Sequence, residues 1–161
     1  MNSMQKNELI TKALLARQSA YAPYSNYLVG AALLCEDGSV YTGCNVENAS
    51  YGATNCAERT AVFKAVSEGK RRFVAIAIAG GKAERATDAG QTTDVQATDA
   101  DQTTDLQTTD YAFPCGVCRQ VLREFADPTQ MTVIVCKSVE DYKEMTLEQL
   151  LPEAFGPDNL T

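Results

Sequence analysis

Three cysteines and a glutamate, divided between two stretches far apart in the chain, constrain this sequence more than any apolar run does. In Asn55-Cys56-Ala57-Glu58-Arg59 a thiol stands two residues before a carboxylate and three before a guanidinium, just where an apolar helical period (Ala57, Ala61, Val62, Ala65, Val66) begins. Residues i and i+2 do not share a face of a regular helix, so Cys56 and Glu58 meet at one point only if Cys56 sits at or before the first turn. That places the site at a helix N-terminus, where free N–H groups and the positive dipole end favour a thiolate over a thiol. The second stretch, Pro114-Cys115-Gly116-Val117-Cys118-Arg119-Gln120, also opens a helical period (Val117, Val121, Leu122, Phe125). Cys115 and Cys118 are three apart, so both sulfurs can face one ion from a first turn that Pro114 helps to start.

Three thiolates suit zinc better than magnesium or calcium, because soft sulfur ligands select soft or borderline ions. They also leave the fourth tetrahedral position for a water, the pattern of a catalytic rather than a structural site. Glu58, beside that position, is then the natural proton shuttle. With a divalent ion, three thiolates carry a formal charge of about −1, which a neighbouring Arg59 would offset.

The chain contains no histidine. Serine triads, cysteine-histidine nucleophiles and H-E-x-x-H zinc sites all need an imidazole, so these classes are excluded. The six cysteines read as ligands and core residues, not disulfides: Met1 to Glu8 is polar, no apolar run resembles a signal peptide or a membrane span, and a reducing cytoplasm is the expected setting. The net charge is −7, of which residues 81–110 carry −5. No basic patch is visible, which argues against a long nucleic-acid partner.

At 161 residues the chain fits a single domain, 1–161. Residues 6–19 read as an amphipathic packing helix on Leu9, Ile10, Ala13 and Leu14. Tyr21-Ala22-Pro23-Tyr24-Ser25 is a turn, and Tyr27–Cys35 and Val40–Val46 are strands joined by the Glu36-Asp37-Gly38 hairpin. Cys35 is expected in the core. A helix over Cys56–Glu68 ends at Gly69, and the near-continuous apolar run Phe73–Ala79 is a central strand. Met131–Cys136 is a buried strand, with Cys136 either core or a further zinc ligand, and Glu148–Leu151 is a short helix stopped by Pro152.

Taken together, Tyr21-Ala22-Pro23-Tyr24-Ser25, Gly43-Cys44-Asn45-Val46-Glu47-Asn48-Ala49-Ser50-Tyr51, Cys56-Ala57-Glu58-Arg59-Thr60-Ala61, Pro114-Cys115-Gly116-Val117-Cys118-Arg119-Gln120 and Leu150-Leu151-Pro152-Glu153-Ala154-Phe155 resemble the small, three-cysteine, homotetrameric cytidine deaminases. The resemblance covers the chain except for about residues 81–113. It implies a three-layer α/β/α domain with a mixed five-stranded sheet, one Zn²⁺ per subunit held by Cys56, Cys115 and Cys118, and hydrolytic deamination of cytidine and 2'-deoxycytidine. Activated water would attack C4 while Glu58 carries protons to N3 and to the departing ammonia. The resemblance further implies that Asn45 and Glu47 hydrogen-bond the ribose and that Arg59 tunes the metal from behind its ligands. Phe155 would stack near the base in a neighbouring subunit's pocket, and Tyr51 would lie near a subunit boundary. Tyr27 stands where the family usually has Phe facing the pyrimidine, and the Ala57 N–H is a candidate donor to the tetrahedral adduct. The implied partners are a free nucleoside and other copies of the chain, with no nucleic acid and no membrane.

Within the uncovered part, Ala86-Thr87-Asp88-Ala89-Gly90-Gln91-Thr92-Thr93-Asp94-Val95-Gln96 recurs as Ala97-Thr98-Asp99-Ala100-Asp101-Gln102-Thr103-Thr104-Asp105-Leu106-Gln107, and a third copy starts at Thr108. So few large apolar groups predict a solvated loop, able to act as a lid or to hinder subunit packing. Deamination of modified cytidines or of an aminonucleoside antibiotic is the alternative within the same chemistry. Two readings of another class also remain at this point: a dithiol redox motif at Cys115-Gly116-Val117-Cys118, and a structural zinc module with Cys44 or Cys136 as fourth ligand.

Overall fold

Side chains of two sizes alternate along the run that follows Arg72, and this alternation sets the layering. The computed structural model describes residues 1–83 and 106–160. In chain order its main elements are α1 (Ser3–Arg17), β1 (Tyr27–Cys35), β2 (Val40–Cys44), α2 (Ala57–Ser67), β3 (Phe73–Lys82), α3 (Gly116–Arg123), β4 (Thr132–Cys136), β5 (Tyr142–Thr146) and α4 (Leu147–Leu150). The strands form one sheet in the order β2-β1-β3-β4-β5; β3 and β4 are parallel and the other neighbours antiparallel. On one face of β3 the small Ala75, Ala77 and Ala79 let Leu9, Ile10, Ala13 and Leu14 of α1 settle close to the sheet. On the other face Ile76 and Ile78 join Leu33, Val133 and Val135 against Ala61, Val62 and Ala65 of α2 and Leu122 of α3. The result is the expected three-layer α/β/α arrangement with a mixed five-stranded sheet.

The seat of α2 depends on Gly43 of β2. A Cβ there would lie 2.5 Å from both the Ala57 carbonyl oxygen and the Ala61 amide nitrogen, so the helix backbone rests directly on the strand backbone. The hairpin before β2 is as expected: Gly38 takes φ +85°, and its N–H donates to the Cys35 carbonyl at 3.0 Å.

Element boundaries depart from the sequence reading for identifiable reasons. Helix α1 starts at Ser3, not at residue 6, because Asn2 and Gln5 form a reciprocal cap: the Gln5 N–H donates to Asn2 Oδ1 at 2.9 Å and the Asn2 N–H to Gln5 Oε1 at 3.0 Å. Strand β2 ends at Cys44, two residues before the expected Val46; Val46 instead bridges Tyr21 and Asn55. Strand β3 continues past Ala79 to Lys82. Strand β5, Tyr-Lys-Glu-Met-Thr, was absent from the sequence reading; it is a short edge strand whose Lys143 and Glu144 face outward.

The largest departure concerns residues 106–113, expected to belong to a loose connection. Thr108 donates its N–H to the Lys137 carbonyl at 2.8 Å, Asp110 bridges Gly80, and a Cβ on Gly80 would come within 2.4 Å of Ala112 Cβ. This stretch is therefore pressed onto the end of β3. The rest of the repeat lies outside the described residues.

Replacing Gly43 with Ala forces backbone apart from backbone at the α2 seat and should cost roughly 1–3 kcal/mol, the scale of overpacking. A shift of the urea unfolding midpoint of Gly43→Ala, with the slope unchanged, checks this.

Candidate active site

Two helices begin at the same place. Cys56 is the N-cap residue of α2 and Cys115 that of α3, both in extended backbone (ψ 156° and 166°) with no side-chain capping bond, and Cys118 lies in the first turn of α3. The extended N-cap conformation lets Cys56 reach the side of the helix that carries Glu58, as the i, i+2 spacing demands. The three Sγ atoms all lie within 4.8 Å of one another, with Cys56 to Cys115 at 3.9 Å and Cys115 to Cys118 at 3.4 Å. A Zn–S bond of about 2.3 Å in a tetrahedral site implies sulfur pairs roughly 3.8 Å apart, so these ligands fit one zinc ion. Cys118 is buried, Cys56 half-buried and Cys115 exposed, leaving one side of the cluster open.

The remaining cysteines stand apart. Cys44 Sγ donates to the Ser19 carbonyl at 3.2 Å, and the buried Cys136 donates to the Ile78 carbonyl at 3.3 Å. Among the described residues neither joins the cluster, so Cys136 is core, and the structural-module reading lacks its fourth sulfur. A dithiol reading of Cys115 and Cys118 leaves the convergence of Cys56 unexplained.

Glu58 sits beneath the sulfurs with only 4% of its surface exposed. Burial pushes its carboxyl up to about 7, helped by the nearby Cys56 charge, while its own backbone N–H, Cys118 and Arg59 pull the other way. Cys56 is drawn down to about 5, first by its hydrogen bond with Cys118 and then by Arg59, against the cost of burial. Cys118, the partner that keeps the proton in that pair, is shifted upward. Arg59 donates from Nη2 to the Thr54 carbonyl at 3.1 Å and to Cys56 Sγ at 3.5 Å, so it touches the cluster from the α2 side.

A cavity of about 320 Å³ opens above Cys56, Ala57, Glu58 and Cys115. That is within the range of about 300–1,000 Å³ usual for small-molecule sites. Tyr27 and Asn45 also line it, as expected. Glu47 does not: its carboxylate accepts the Tyr24 N–H at 2.8 Å and the Ser25 hydroxyl at 2.5 Å, tying down the turn before β1. Tyr51 and Phe155 point away from the protomer, 76% and 59% exposed, and neither lines the cavity. Tyr111, Ala112 and Phe113, which the sequence alone does not single out, complete the wall. The available signal was the return of aromatic residues directly after an aromatic-free repeat. A larger hollow of about 1130 Å³ lies at the other end of β3, near Arg72, Phe125 and Pro128, and holds none of these groups.

Residues 3–136 match the family model described as the cytidine and deoxycytidylate deaminase zinc-binding region. The chain belongs to the cytidine deaminase family. It is 42% identical to a cytidine deaminase of Sporosarcina psychrophila over 98% of this chain and 96% of that one, and 43% identical to one of Halalkalibacterium halodurans over 98% of each. Among solved structures it is similar to the cytidine deaminase of Burkholderia pseudomallei, with a TM-score of 0.71 and 43% identity over 92% of this chain and 97% of that one. It also resembles that of Mycobacterium tuberculosis, with a TM-score of 0.66 and 36% identity over 93% and 96%. A family built around a zinc-binding region accords with the cluster of three sulfurs.

Cys118→Ser should abolish stoichiometric zinc in the purified protein, whereas Cys44→Ser and Cys136→Ser should retain it, as read by elemental analysis. Acidification should release the metal from the wild type, because protons compete for thiolate ligands and metal affinity falls as pH falls.

Proposed function

We propose that this chain catalyses the hydrolytic deamination of cytidine and 2'-deoxycytidine to uridine and 2'-deoxyuridine with release of ammonia, a step of pyrimidine salvage. The observation that carries this reading is the buried carboxyl of Glu58 beside three convergent sulfurs at the floor of a nucleoside-sized cavity. The zinc ion supplies the Lewis acidity that lets a water molecule give up a proton near neutral pH. Glu58 accepts that proton and delivers it to N3 of the pyrimidine as the water oxygen adds to C4. It then takes the proton of the new C4 hydroxyl and passes it to the amino nitrogen, so that the C4–N bond breaks, ammonia leaves and the C4 carbonyl of the product forms. A carboxyl raised to about 7 by burial is suited to both directions of transfer. The Ala57 N–H, at the first position of α2, is a donor toward the tetrahedral adduct.

Tyr27 forms the wall against which the base lies, and Arg59 offsets the negative charge of the thiolates. Asn45 and Glu47 hydrogen-bond the ribose. Asn45 already donates from Nδ2 to the Tyr27 carbonyl and accepts the Val29 N–H at Oδ1, both at 2.8 Å. An amide has a second N–H and a second lone pair, so it can hold β1 and a sugar hydroxyl together. Glu47 lies outside the cavity lining of the single protomer, and its three bonds to Tyr24 and Ser25 leave one lone-pair site on Oε1 for a sugar hydroxyl. The exposed Tyr51 and Phe155 suit contacts between copies, with Phe155 entering a neighbouring pocket of a homotetramer. The unit of function is one catalytic domain, 1–161, carrying the acidic repeat as an insertion. Among the described residues no helix is long and apolar enough to cross a membrane, and the proposed location is the cytoplasm.

Loss of cytidine absorbance in the zinc-loaded protein tests this reading directly. Glu58→Gln should keep one zinc per chain and lose about 10²–10⁴-fold in kcat, the usual worth of a general acid–base. Phe155→Ala should weaken turnover while leaving zinc in place; full activity in that variant would count against a shared pocket.

A further inference from the structure

The described end of the repeat, Thr108 to Ala112, brings an acidic residue, Asp110, next to two residues, Tyr111 and Ala112, that line the cavity. Asp110 is pinned by its backbone bridge to Gly80, and Ala112 occupies the space a Cβ on Gly80 would need. Tyr27 Cε1 and Val29 Cγ2 each lie 3.3 Å from that same position, so the strip comes down beside the Tyr27 ring. We propose that Asp110 is a positioning residue that anchors the Tyr27 hydroxyl and so fixes the ring as a wall of the substrate cavity. This rests on the cytidine deaminase reading given above.

Among the described residues, the hydrogen bonds that join Tyr27 to Ser25 and Asn45 are made by its backbone. The Tyr27 N–H donates to Ser25 Oγ at 3.0 Å, and its carbonyl accepts from Asn45 Nδ2 at 2.8 Å. The outer end carries a hydroxyl that needs a partner once half-buried. As the cross-strand partner of Gly80, Asp110 has its side chain on the face that carries the Tyr27 ring, and after burial itself its carboxylate is what raises the phenol. The other charged group acting on the phenol is Arg17 of α1, whose effect is opposite and smaller. Its guanidinium donates to the Leu28, Gly81 and Lys82 carbonyls at 3.2, 3.1 and 2.9 Å, which binds the start of β1 to the end of β3. Asp110 itself does not line the cavity, so its influence on the reaction passes through Tyr27, which does.

The test is a double-mutant cycle with Asp110→Ala and Tyr27→Phe in the zinc-loaded protein, with Asp110→Asn, which loses the charge but keeps an acceptor, used for a titration. Each single substitution should raise KM for cytidine roughly five-fold, the scale of one hydrogen bond, with kcat little changed, and the pair together should do no more than either alone. Independent, multiplying effects, or a fall in kcat at constant KM, would overturn the proposal. Ultraviolet titration without substrate reads the pair separately. The phenol missing from Tyr27→Phe should ionise at lower pH in Asp110→Asn than in the wild type, and an unmoved phenol also overturns the proposal. Failure of the wild type to consume cytidine would refute the functional reading, whereas the titration still decides whether Asp110 holds Tyr27.

Discussion

The meeting of two helix N-termini at one edge of the sheet is the arrangement on which the site depends. Because β1 is antiparallel to both β2 and β3, and β4 is parallel to β3, the strands β2, β3 and β4 all point the same way. Their C-terminal ends share an edge, and α2 and α3 follow β2 and β3 from that edge. Each helix therefore directs its free N–H groups and positive dipole end at the same point. That is where Cys56 and Cys115 cap the helices, and where concentrated thiolate charge is least costly. Gly43 makes the convergence close enough, since a side chain there would lift α2, and Cys56 with it, away from α3.

Burial of Glu58 follows from the same geometry. Placed at the second position of α2, on the side facing the sheet, it loses solvent and becomes harder to ionise. Its helix terminus and Arg59 oppose that effect. The balance leaves a carboxyl able to gain and lose a proton near neutrality, which neither an exposed glutamate nor one buried among apolar groups alone would do. Cys56 and Cys118 show the complementary behaviour: one thiol holds the proton and the other, beside Arg59, gives it up readily. Of these two, only Cys56 is biased toward the anion, and the proton held by Cys118 has to leave when a metal takes that sulfur.

The sequence disclosed the ligand set because i, i+2 and i, i+3 spacings carry geometric demands that few backbones meet. It disclosed the central strand because the near-continuous apolar run Phe73–Ala79 is a local pattern. It did not disclose β5, since an edge strand with Lys143 and Glu144 on it owes its existence to pairing with β4 rather than to its own apolar content. Nor did it disclose the start of α1, which a polar cap fixes three residues before the expected start at residue 6. The wall at Tyr111, Ala112 and Phe113 was hidden for a different reason. Its place is fixed by Gly80 and Gly81 in β3, far away in sequence, and a composition-based reading merges it with the polar repeat it follows. Asn45 and Glu47 were legible as polar residues near the site, but their bonds to β1 and to the preceding turn depend on where those segments fold back.

Helix α3 links the metal ligands to the C-terminal tail. From the helix that carries Cys115 and Cys118, Arg119 donates to the Pro114 and Leu150 carbonyls, each at 2.7 Å, Gln120 donates to the Phe155 carbonyl at 2.9 Å, and Arg123 pairs with Asp158 at 2.7 Å. The tail is thus laid along α3 through the Leu150 and Phe155 carbonyls, yet the Phe155 side chain is exposed. Val117 on the same helix and Phe113 just before it are also exposed. Ordering a tail merely to display an aromatic ring to water gains nothing from burial, at about 25 cal/mol per Å² of apolar surface. The same ring set into another copy would recover that energy. In the proposed assembly, the helix that fixes two sulfurs also fixes the side chain offered to a neighbour, so metal binding and subunit contact would stabilise one another through α3.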